Sequence, residues 1–196
     1  MLAAVNRISL FLNLAIQGLI NVYFVDESGF SLQPYIPYRY QKKGQQMEIK
    51  SVKTRVMNVL GFLNPLTQRL ITYPLEEGTT MNSEIFIKFI SDFAAKLTLP
   101  TVLILDNASW HKSKETKAMF STWQKQGLFI YFLPPRCPHL NLIETLWRKI
   151  KYEWLFNRDF YSKATMEKKL KHIFKNYGSE YKLEFSFNIF NVKINW

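Results

Sequence analysis

INVYFVD, residues 20–26, and TVLILD, residues 101–106, are two apolar runs that each stop at an aspartate. Short apolar runs rich in β-branched and aromatic side chains read as buried strands. RVMNVLGFL (55–63) and QRLITYP (68–74) read as two further strands, and LFIYFL (128–133) as one more, ended by Pro134 and Pro135. Helical patterns lie between them. Ile85, Phe86, Phe89, Ile90 and Phe93 recur at helical spacing behind a cap at Asn82 or Ser83. A polar helix from about Ser113 to Gln126 stops at Gly127. Two more are expected from about Asn141 to Leu155 and from about Thr165 to Tyr177, the latter stopped by Gly178. Three early strands, then strands interleaved with helices, predict an α/β fold with a mixed central sheet flanked by helices.

The composition sets bounds on function. The 196 residues suit one domain, and 47% hydrophobic content supplies a core large enough to exclude disorder. The formal net charge of +11 points to a polyanionic partner. Most of that excess lies late: residues 101–196 hold 16 Lys and Arg against 8 Asp and Glu, residues 1–100 only 10 against 7. Charge alone leaves nucleic acid, an anionic membrane and a solvated face open. Cys137 is the single cysteine, so no internal disulfide framework exists, and the chain suits a reducing cytosol. ISLFLNLAIQGLI, after Arg7, is too short to span a bilayer and carries Asn13 and Gln17. It reads as a helix of a cytoplasmic protein.

The two aspartates suggest chemistry. In an open α/β sheet, ligands bind in the crevice beyond the strand ends. Two carboxylates meeting there repel one another and call for a cation between them. Hard oxygen donors in that setting suit Mg²⁺ or Mn²⁺. Taken singly, each aspartate is more ordinarily a strand-end turn or a helix cap. Glu27 follows Asp26 and points to the opposite face if the strand persists, which leaves it outside the site. Glu144 borders the apolar stripe of Ile143, Leu146, Trp147, Ile150 and Trp154, in line with Arg148 and Lys151. By itself it reads as one half of a solvated Glu–Arg pair.

The words around these residues decide otherwise. YFVDESGF (23–30), LILDNASWHKSK (103–114) and LPPRCPHLNLIETLWRKIK (133–151) occur in that order. Together they resemble the mariner-type superfamily of transposases, in its bacterial insertion-sequence branch, from roughly residue 20 to residue 160. The resemblance implies a ribonuclease H-like fold whose D-D-E triad falls on Asp26, Asp106 and Glu144. It divides the chain into a helical lead-in over 1–19, a catalytic domain over 20–160, and a C-terminal helix and tail over 161–196 packed on that domain. It also implies two Mg²⁺ or Mn²⁺ ions, Asp26 bridging both, with Asp106 and Glu144 each completing one. Water cuts at the element's end, and the freed 3′-hydroxyl then attacks target DNA, a TA dinucleotide in relatives. Relatives act as dimers, so a homodimer on DNA is expected. Three departures stand out. The 37 residues between Asp106 and Glu144 are slightly more than usual, and Arg136-Cys137 replaces the customary Tyr-Ser. About 20 residues precede the first strand, where the family carries helix-turn-helix segments for end recognition. The expectation is a catalytic domain alone, with a separate chain or a lost segment supplying those elements.

Supporting roles follow from position. His111 and Lys112 are candidates to touch the scissile phosphate, and Arg148, Lys149 and Lys151 to grip phosphates beside Glu144. Asn141 is expected to cap the Glu144 helix. The lysines at 168, 169, 171 and 175 read as solvated surface. Tyr35, Tyr38, Tyr40, Arg39, Lys42 and Lys43 form either a packed connection or a DNA-stacking loop, and Phe185, Phe187, Phe190 and Trp196 a core or interface cluster. Two other functions compete: a non-catalytic DNA-binding transposon remnant, which needs none of the three carboxylates, and a ribonuclease H-type nuclease, which prefers RNA–DNA hybrids. A membrane-surface protein lacks support, since no basic amphipathic anchor is present.

Overall fold

The computed structural model describes residues 1–33, 43–44, 54–187 and 190. Its centre is β1 (Asn21–Ser31). On one side β1 pairs antiparallel with β2 (Arg55–Asn64), which pairs antiparallel with β3 (Arg69–Pro74). On the other it pairs in parallel with β4 (Thr101–Leu105), and β4 in parallel with β5 (Leu128–Phe132). The order is therefore β3-β2-β1-β4-β5, a mixed sheet as the strand pattern predicts.

Helices cover both faces. Side chains alternate along a strand, so Val22, Phe24 and Phe30 face α1 (Leu2–Ile16), α4 (Leu142–Lys149) and α5 (Lys163–Lys175). Tyr23 and Val25 face α2 (Ser83–Ala94) and Trp123 of α3 (Lys114–Lys125). Burial on both faces explains why these strands read as unbroken apolar runs rather than as alternating ones. Ala4, Ile8 and Leu12 of α1 lie in the core, as do Phe187 and Phe190, with Phe185 packed against it. Caps set the starts of three helices: Asn82 accepts from the Ile85 amide, Ser113 from Thr116 and Ser162 from Thr165.

Several boundaries differ from expectation. β1 does not end at Asp26, because β2 continues the ladder beside it from Asp26↔Gly61 to Phe30↔Met57. Paired backbone carries the polar Asp-Glu-Ser step through the sheet. The helix expected over 141–155 divides: α4 gives way to a π-helical turn over Ile150–Trp154. The proposed stacking loop lies outside the described residues except for Lys43, and Trp196 lies outside them too. Among the described residues no helix is long and apolar enough to cross a membrane.

Candidate active site

The site forms where β4 stops and β1 goes on. Their pairing runs from Asn21↔Thr101 to Phe24↔Ile104. Carried two residues further, that register sets Asp26 level with Asp106. By parity Asp26 lies on the side of Phe24, the face that α4 covers, while Asp106 follows the last residue of β4. Glu144 sits in the first turn of α4. Asp106 and Glu144 line one cleft of about 370 Å³, walled by Asn107, Leu133, Pro134 and Arg136. Arg136 holds a left-handed backbone (φ 59°), uncommon for a residue with a side chain.

The acids act on one another. Burial pushes the Asp26 carboxyl well above its ordinary range, and the charges of Glu27, Glu144 and Asp106 push it further. Glu144 is raised by burial and then by Asp106, against the opposing charges of Arg148 and His139. Asp106 moves the other way. Its contact with His111 lowers it, burial opposes, and the Ala108 amide, 3.0 Å from Oδ1, lowers it again.

Two small features seat α4. Gly61 lies opposite Asp26 on β2, and a Cβ there would fall 2.5 Å from Trp147 Cζ2 and 2.9 Å from Ile143 Cδ1. Only a glycine lets the helix come that close. Asn141 is buried just before α4, and its Nδ2 donates to the Val25 carbonyl at 3.1 Å. It does not cap the helix with its side chain as expected. The amide instead ties the helix start to the residue before Asp26.

The remaining candidates separate. His111 is fully buried, with no surface to offer a phosphate. Its Nδ1 lies 2.9 Å from Asp106 Oδ1, close enough for an ion pair though off the line of the N–H. Its Nε2 lies 3.3 Å from Glu27 Oε1. Burial would lower the imidazolium's pKa, but the two carboxylates more than offset it and push it up to about 9. Lys112 donates to Asn107 Oδ1 and stands over the Phe132 ring. Lys149 pairs with Glu153 along its own helix, while Arg148 is exposed beside Glu144. Lys151 stands over Phe30, lowered by burial and opposed by the charge of Asp26. Sequence reasoning set Glu27 aside and did not single out Trp110 or His139. His139 stands in the quoted PHLNLIE block, and Trp110 beside His111, so position was the available signal.

A central strand flanked by an antiparallel hairpin and two parallel strands, with helices on both faces, is the ribonuclease H-like fold. The Mos1 strand transfer complex has it: the chains superpose with a TM-score of 0.59 at 15% identity, over 96% of this chain and 57% of that one. The sequence places it further, for the pattern of the DDE superfamily endonuclease family matches residues 21–167, and the chain belongs to that family. Among curated relatives, an uncharacterized protein y4pE/y4sA of Sinorhizobium fredii is 41% identical over 59 residues, 30% of this chain and 39% of its own length. The insertion element IS630 uncharacterized 39 kDa protein of Shigella sonnei is 28% identical over 159 residues, 77% of this chain and 43% of its own length. The chain thus spans less than half the length of these relatives.

The family generally uses divalent metals. The donors here fit such an ion: three hard carboxylates, with Asp26 raised by burial and by the charges of Glu144 and Asp106, and Glu144 by burial and Asp106, gain from a cation among them. Among the described residues, however, no group of three or more His, Cys, Asp or Glu side chains is arranged as a ready cage.

Proposed function

We propose that this chain is the catalytic domain of a DNA transposase that cuts and joins DNA at Asp26, Asp106 and Glu144. The observation that carries the reading is their proximity: Asp26 on β1, Asp106 one residue past the end of the neighbouring β4, and Glu144 lining the same cleft as Asp106. Asp26, Asp106 and Glu144 would hold Mg²⁺ or Mn²⁺, two ions by resemblance, and metal bound there would supply the positive charge that a phosphoryl displacement needs at its oxygens. The chain's own part is placement. The sheet fixes two acids, α4 brings the third, and Arg148 and Lys151 add positive charge for the DNA backbone. The substrates are transposon ends and target DNA, cut at TA by resemblance, with the chain acting as a homodimer and with end recognition from helix-turn-helix segments or a separate chain.

The test is nicking of supercoiled plasmid with Mg²⁺ or Mn²⁺. The native chain nicks, and Asp106→Ala stays folded by circular dichroism and does not. A folded Asp106→Ala that nicks at the native rate rejects the assignment. The remnant reading takes over if the native chain neither binds Mn²⁺ nor cuts.

A further inference from the structure

The mechanism leaves one carboxylate of the cluster unused. Glu27 faces away from the cleft, on the side of the sheet held by α2. Its Oε1 accepts from Trp110 Nε1 at 3.0 Å and lies 3.3 Å from His111 Nε2. The His111 ring is wedged against Phe86, centroids 4.5 Å apart, and stands edge-on to Trp110. Its other nitrogen meets Asp106 Oδ1 at 2.9 Å. Asp106 has left the strand and its side chain is half exposed, so the ladder does not hold it. What restrains it is the Ala108 amide and this ring, both on the same oxygen.

We propose that Glu27 is a positioning residue: through His111 it fixes the rotation of Asp106 so that the second carboxylate oxygen is presented to a divalent ion in the cleft. The inference rests on the proposed metal site. Loss of a group that orients a ligand from behind commonly costs about 10–100-fold in metal affinity. Both contacts fall on one oxygen of Glu27, so the reach of the side chain decides whether they form. Gln keeps that oxygen in place without the charge. Asp keeps the charge but withdraws it from the ring by one methylene.

The experiment measures Mn²⁺ binding to the full chain from the electron paramagnetic resonance of free Mn²⁺, alongside the Mn²⁺ dependence of plasmid nicking. Glu27→Asp and Glu27→Ala weaken binding about 10–100-fold, with nicking largely restored at saturating Mn²⁺, while Glu27→Gln stays within about threefold of native. Native-like affinity in Glu27→Asp, or Glu27→Gln as weak as Glu27→Asp, overturns the proposal. Glu27→Asp carries the test if Glu27→Ala does not fold. A native chain that binds no Mn²⁺ overturns the metal site and this inference with it, whereas native binding unaffected by Glu27→Asp overturns the inference alone.

Discussion

Gly61→Ala tests how tightly the seating of α4 governs the site. The new methyl falls 2.5 Å from Trp147 Cζ2, 2.7 Å from Cη2 and 2.9 Å from Ile143 Cδ1. Carbon atoms rest at about 3.5–4.0 Å, so the indole must retreat by about 1–1.5 Å. It has little room to turn, because Phe30 and Phe174 stand edge-on to it with centroids 6.2 and 6.3 Å away. The helix must therefore lift, and Glu144 lies one residue after Ile143 and three before Trp147. Overpacking of this kind costs about 1–3 kcal/mol of stability. A shift of ~1 Å in a catalytic group costs about a hundredfold in rate. Thermal melting and plasmid nicking read the two effects separately: Gly61→Ala stays folded and nicks about a hundredfold more slowly. Trp147→Phe in the same chain removes Cζ2 and Cη2, the two closest atoms, and should restore at least about tenfold of the lost rate. Native nicking by Gly61→Ala, or no recovery in the double variant, refutes the seating argument.

Two further outcomes follow from residues around the cleft. Asn141→Ala removes the tether to the Val25 carbonyl, and chemical denaturation should show a loss of about 1–3 kcal/mol, since a buried acceptor is left unpaired; an unchanged midpoint contradicts the tether. Arg148→Ala, at an exposed position beside Glu144, should weaken binding to unrelated duplexes alike and lower the slope of log affinity against log salt by about one. An unchanged slope removes Arg148 from the DNA surface.

Much of the fold was legible because burial on both faces of the sheet forces long apolar runs, and these survive in the sequence unobscured. TVLIL is a strand by composition alone, and it is one, from Thr101 to Leu105. β1 was misjudged for a physical reason. A strand's persistence through Asp26, Glu27 and Ser28 depends on a partner, β2, whose pairing is set by contacts about 35 residues away along the chain. Local polarity argued for an end there, and tertiary hydrogen bonding overrode it. The break at Ile150 was equally unreadable. The apolar stripe runs on through Trp154, so the periodicity gives no warning that the last turn is π-helical.

The site divides along the same line. Asp26, Asp106 and Glu144 were singled out by the resemblance of the sequence blocks around them, and of the three only the two aspartates also end apolar runs. Glu27 was set aside on a sound rule, that neighbours on a strand face opposite ways, and the rule holds. What it could not convey is that β4 ends one residue before Asp106, leaving a gap beneath β1 which the loop after β4 turns back to fill. His111 touches both Glu27 of β1 and Asp106, just past the end of β4. Alternation separates two side chains only while strands continue on both sides of them. Where one strand stops, a single buried ring can reach across, and Glu27, excluded by periodicity, comes to bear on Asp106 of the cleft.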